Sequence, residues 1–134
     1  LGLGRVGNLS EAATLGVLAE KINALFGGGV VRVAGNWDLP VDRVAVCGGS
    51  GGSLMTDFLQ SRAQVFISGD FGYHQALDAE AGGYGLIDLG PFRSENIVVE
   101  PMARLLRQAL TRAGFDVTVE AYEAQTEPFK YLGA

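Results

Sequence analysis

Three loops carry the residues whose types and spacing suit chemistry. The first, Gly48-Gly49-Ser50-Gly51-Gly52, follows an apolar strand-like run and precedes a helix-like one. In such a setting, backbone N–H groups can face an anion. Gly48, Gly49, Ser50 and Gly51 are therefore the candidate ligand-binding residues. A Walker loop would need a Lys-Ser/Thr pair after the glycines, whereas Gly52 leads into Ser53-Leu54, and the third glycine of a dinucleotide fingerprint is missing. The loop does match G-x-S-x-G at Gly48, Ser50 and Gly52. Asp70 and the single histidine, His74, follow in the order of a Ser-Asp-His hydrolase. A tight, close-packed turn is the plainer reading.

The second loop is Gly69-Asp70-Phe71-Gly72-Tyr73-His74. Asp70, His74 and Asp78 are spaced to share one helix face, where oxygen and nitrogen donors could hold a metal or a reactive water. His74 and Asp70 are thus the candidate catalytic pair. The structural alternative makes Asp70 a helix cap and His74 an ordinary helix residue. In the third loop, Asp88 to Glu95, Ser94 reads as an N-cap and Glu95 as a first-turn carboxylate, favourable there with or without a metal. Cys47 reads as a buried residue at a strand end, and Trp37 as packing.

The elements that must position these loops follow from periodicity. Leu1 to Leu9 is expected to be extended. Thr14 caps a helix whose apolar face is Leu15, Leu18, Ala19, Ile22, Leu25 and Phe26. Strands are expected at Val30–Val33, Arg43–Cys47, Gln64–Ser68 and Leu86–Leu89, and helices at about Ser53–Arg62 and Tyr73–Ala81. A long helix from near Ser94 to Ala113 is interrupted or kinked at Pro101. Asp116–Tyr122 alternates like a final strand. Strand and helix alternate from residue 43 onward, which predicts an α/β fold: a mixed, largely parallel sheet with helices packed against it. Residues 1–134 form one domain, and the three loops gather where strands end, the edge at which ligands collect in such sheets.

Hydrophobic residues make up 48% of the chain and charged residues 19%, the balance of a folded chain rather than a disordered one. Ten basic residues against fifteen acidic ones give a net charge of −5, which opposes binding to a nucleic-acid backbone. No apolar run approaches the roughly 18 residues of a membrane span. One cysteine, Cys47, excludes an intrachain disulfide and suits a reducing, cytoplasmic setting. The chain has no initiator Met and starts on a strand-like stretch, so it is read as a piece from which something upstream is missing.

Five stretches in this order resemble the Nif-three-like family, the dinuclear-metal hexameric proteins also called type 2 homologues of GTP cyclohydrolase I. They are GLGRVGNL (Gly2 to Leu9), VAVCGGSGG (Val44 to Gly52), SGDFGYHQALDA (Ser68 to Ala79), LIDLGPFRSE (Leu86 to Glu95) and TEPF (Thr126 to Phe129). The resemblance is to the family's C-terminal half. It implies an α/β fold of two similar halves, a toroidal homo-hexamer, and a pair of divalent metal ions between the halves serving a hydrolase-like reaction on a small-molecule substrate. Some members carry an inserted PII-like domain, after which a GLGR-like strand resumes, so a start at Leu1 matches a cut at that insertion. The family's ligands are a His-His pair and an Asp from the N-terminal half, then a His and, four residues later, a Glu. Glu95 matches that Glu and is the metal-ligand candidate, but the His position is Pro91. Asp70 and His74 match a motif near the site, which implies positioning or substrate-side roles. The competing expectation is a non-catalytic oligomerising or regulatory module with a degraded metal site.

Overall fold

The computed structural model describes residues 2–132. Five strands form one mixed sheet: β1 (Arg5–Thr14), β2 (Arg32–Ala34), β3 (Pro40–Ser50), β4 (Val65–Gly69) and β5 (Gly85–Asp88), in the order β1-β3-β4-β5-β2. The central pairs, β3 with β4 and β4 with β5, are parallel, and the outer pairs are antiparallel. The helices are α1 (Leu15–Leu25), α2 (Met55–Gln60, entered through a 3₁₀ turn at Gly52–Leu54), α3 (Tyr73–Ala81), α4 (Pro91–Asn96) and α5 (Val99–Arg112). This is the expected α/β, helix-on-sheet class.

Alternation along the central strands divides the core between the two faces of the sheet. Val65, Ile67, Ile87 and Leu89 meet Leu15, Leu18 and Ala19 of α1 on one face. Phe66 and Leu86 meet Phe58 of α2 and Ala79 of α3 on the other. There the rings of Phe58 and Phe66 stack at 5.2 Å, and Phe71 meets Phe66 edge-on at 5.2 Å. Thr14 caps α1 as expected, its hydroxyl accepting from the Val17 N–H at 3.3 Å.

Three local expectations are corrected. The long helix from Ser94 is two helices, α4 and α5, separated at Ile97–Val98. Pro101 sits in the first turn of α5, where its missing N–H costs nothing. Asp116–Tyr122 forms no strand: alternation supplies an apolar face, but a strand also needs a neighbouring edge to pair with, and none adjoins this segment among the described residues. Helix α5 buries Ala103 alone and leaves Met102, Leu105 and Leu106, with Val98 just before it, open to solvent as an apolar stripe. Among the described residues, no helix is long and apolar enough to cross a membrane.

Candidate functional site

The C-terminal ends of β3, β4 and β5 bring the three loops together, and a buried carboxylate ties two of them. Asp88, at the end of β5 and only 5% exposed, accepts three backbone N–H groups. Its Oδ1 takes those of Asp70 and Gly90, both at 2.9 Å, and its Oδ2 takes that of Phe71 at 3.0 Å. Arg32 on β2 adds a charge-assisted bond to Oδ2 and a second one, at 3.0 Å, to the Phe71 carbonyl. A carboxylate is the side chain that can accept so many donors at once. Asp88 thereby sets the turn of both loops.

Asp70 is exposed and lies in the left-handed region at φ 60°. Asp tolerates this conformation better than most residues. Asp70 is neither the helix cap nor a helix residue, because α3 starts at Tyr73 with Gly72 as its N-cap. The expected face of Asp70, His74 and Asp78 is therefore not formed: the first member lies off the helix. The cap's N–H bond goes instead to Gln75, whose Oε1 accepts from the Gly72 N–H at 2.8 Å. Gln75 also donates to the Gly52 carbonyl at 2.9 Å, joining α3 to the glycine loop. His74 is exposed, its ring edge-on to Tyr73 at 5.6 Å.

The glycine loop is packed rather than open. A Cβ at Gly51 would strike the Ser68 hydroxyl and come 2.9 Å from Phe66, one at Gly48 would lie 3.0 Å from the Ser94 carbonyl, and one at Gly69 would lie 2.7 Å from the Gly90 backbone. The Gly49 N–H donates to the Ser94 hydroxyl at 3.0 Å, and the Gly51 N–H donates to the Gly69 carbonyl at 3.3 Å. Two N–H groups expected to face an anion are thus spent within the protein. Ser50 still belongs to β3, in register with Gly69, and its φ is not positive, so it lacks the strained turn of a nucleophile elbow. Among the described residues, no hydrogen bond joins Ser50, Asp70 and His74 into a triad.

Glu95 is the predicted site residue that the fold seats against the glycine loop. Its carboxylate lies on the α-carbon of Gly49, whose φ of 71° and missing Cβ make room for it. Helix α4 is held from both sides. Ser94 donates to the Gly90 carbonyl at 2.8 Å while accepting from Gly49. Arg93 reaches the C-terminal end of α1, donating to the Asn23 side chain at 2.9 Å and to the Phe26 carbonyl at 3.4 Å, a favourable place for a cation. Ser94 is not an N-cap: Gly90 precedes the helix and Pro91 is its first residue, the position that suits a ring with no N–H. Glu95 is accordingly the fifth of six residues, near the end where a carboxylate gains nothing from the helix dipole. The structural explanation for Glu95 drawn from sequence therefore fails.

Arg32, Asp88 and Phe71 went unassigned in the sequence, and Ser94 was assigned only as a cap. A polar residue at the end of an apolar strand, as in Leu-Ile-Asp, was the available signal for Asp88. The Trp37 ring lies on Gly16, where any Cβ would collide with it, while more than half of the residue stays exposed. The donor set tests the fit of the metal pair. Among the described residues, no three His, Cys, Asp or Glu side chains come together to hold an ion. Pro91, one turn before Glu95, offers no donor atom. The residues present do not by themselves form a metal site.

The comparisons agree with this architecture. A protein of Lactococcus lactis named GTP cyclohydrolase 1 type 2 homolog is 39% identical over 96% of this chain and 49% of its own length. One of the same name from Halalkalibacterium halodurans is 33% identical over 98% of this chain and 35% of its own length. This chain thus spans between about a third and a half of the curated relatives it matches. The crystal structure of a Bacillus cereus protein related to NIF3 superposes with a TM-score of 0.91 at 30% identity, over 98% of this chain and 36% of that one. The sequence profile of Duf34/NIF3 (NGG1p interacting factor 3) matches residues 1–128. With that match and the shared fold, the chain belongs to the Duf34/NIF3 family.

Proposed function

We propose that this chain serves a metal-dependent hydrolase of the GTP cyclohydrolase 1 type 2 kind named by its relatives, and lends that centre one carboxylate, Glu95. The supporting observation is its placement: Glu95 is seated on Gly49 at the tips of the parallel strands, on a helix clamped at two points, with no helical reason to be acidic. In this reading Gly48, Gly49, Ser50 and Gly51 act by closeness, letting the carboxylate approach the sheet edge. Asp70 and His74 serve on the substrate side, toward a small molecule. The divalent ions would draw their remaining ligands from outside these residues. The setting is cytoplasmic, which suits a lone thiol at Cys47.

Metal analysis of the intact protein tests this. Stoichiometric zinc, iron or manganese is expected, with affinity at least about tenfold lower in Glu95→Gln. An intact protein that carries none overturns the reading.

A second reading, a non-catalytic oligomerising or regulatory module, is favoured by Pro91 and by the open stripe on α5. Pro91 and Glu95 are four apart on α4, so Pro91→His would present its ring on the face of Glu95. Gained metal binding in that variant indicates a decayed site. Unchanged binding, together with a loss of molecular mass in solution on Leu105→Glu, indicates a scaffold whose stripe joins copies into the implied homo-hexamer.

A further inference from the structure

Away from Glu95, on the β2 side of the sheet, lies a cleft of about 180 Å³ whose lining includes Arg32, Asp88, Phe71, Tyr73, Ala76 and Leu86. Its floor is apolar and closed: Phe71 and Leu86 are buried in the core behind it. Its one cation is anchored at one nitrogen. The Nη2 of Arg32 is fixed by Asp88 and by the Phe71 carbonyl, while Nη1 and Nε have no protein partner among the described residues. Asp88 balances that charge, but its carboxylate is shared with three backbone N–H groups, and the Nη1 and Nε edge of Arg32 keeps its donors. A guanidinium tethered at one nitrogen in this way, with a free edge, recognises a planar acid at reduced cost. Tyr73 stands exposed at the rim, where a ring can lie against it.

We propose that this cleft binds a small organic anion, its carboxylate or phosphate paired with Arg32 and its flat apolar body against Phe71, Ala76 and Leu86. The proposal goes beyond the metal reading and does not use Glu95. Asp88 links the cleft to the loops that carry Asp70 and Gly90, so an occupant of the cleft bears on the same strand tips.

The test is an NMR titration of the nitrogen-labelled full chain with benzoate, phenyl phosphate and the neutral benzyl alcohol. Binding of at least one anion in the millimolar range is expected, moving the amides of Val33, Ala34 and Phe71 to Ala76, with benzyl alcohol about tenfold weaker or more. The tighter of the two anions identifies the acid group. Arg32→Gln, an exposed substitution that leaves the core intact, is expected to weaken the anion by about tenfold, and Ala76→Phe to abolish binding by filling the cleft. Benzyl alcohol binding as tightly as the anions, undiminished binding in Arg32→Gln, or shifts confined to other residues would each overturn the proposal.

Discussion

The carboxylate of Glu95 rests on the α-carbon of Gly49, and the two residues come from elements 46 positions apart that Ser94 ties together. Gly49 is left-handed, so an added methyl group meets two penalties at once: the backbone conformation and the carboxylate oxygen. Gly49→Ala is expected to cost roughly 2 to 4 kcal/mol, the sum of a left-handed alanine and an overpacked contact. In a Glu95→Ala background the same change should cost at least about 1 kcal/mol less, because the contact is gone and the conformational penalty alone remains. Chemical denaturation of the two single variants and the double variant measures the coupling.

Asp88 and Arg32 form an unequal pair, 5% and 63% exposed at their side chains. Asp88→Asn turns an amide group toward backbone donors that have no other acceptor, and should cost about 2 to 4 kcal/mol. Arg32→Gln leaves Asp88 its three N–H partners and removes a cation that is largely solvated, so it should cost about 1 kcal/mol or less. The order of the two effects in thermal unfolding is the check. An Arg32 variant as damaged as the Asp88 variant would contradict the hydrogen-bond account.

Asp70 holds a backbone conformation that glycine adopts freely. Asp70→Gly is expected to change stability by no more than about 1 kcal/mol in either direction. It therefore removes the carboxylate with little structural cost. Any loss of turnover in that variant, at an unchanged unfolding midpoint, is attributable to the side chain.

Glu100 and Arg107 pair across two turns of α5 at 3.1 Å, and Arg107 also donates to the Val119 carbonyl at 2.7 Å. The hydrogen bond from Arg107, then its charge, hold the Glu100 carboxyl below the usual carboxylate range. A carboxyl lowered on folding stabilises the fold above its unfolded pKa, and that contribution is lost as pH falls through the folded value. Acidification should therefore weaken the pairing of Glu100 with Arg107. The Arg107 Nε–H resonance should follow the titration in the wild type and stay level in Glu100→Gln.

Much of the architecture was legible because it rests on local rules. The continuous apolar run of Val65 to Ile67, the Thr14 cap and the periodicity of Tyr73 to Ala81 each specify an element from a few neighbouring residues. The order of those elements then specifies the α/β class. Sequence motifs were enough to indicate the family and to single out Glu95.

The roles inside the loops were decided in three dimensions. Whether a glycine N–H faces an anion or another loop depends on which chain segment lies opposite. For Gly49 that segment is Ser94, 45 residues away. Pro91 moved the start of α4 back to its own position and so removed the capping role from Ser94, freeing its hydroxyl to join the loops. Asp116–Tyr122 has the pattern of a strand without a partner edge, and Asp88 has the composition of a loop residue yet is the buried anchor of two loops. A residue's own preferences act over a few positions, whereas the acceptors that satisfy its polar atoms are supplied by the packing of distant strands.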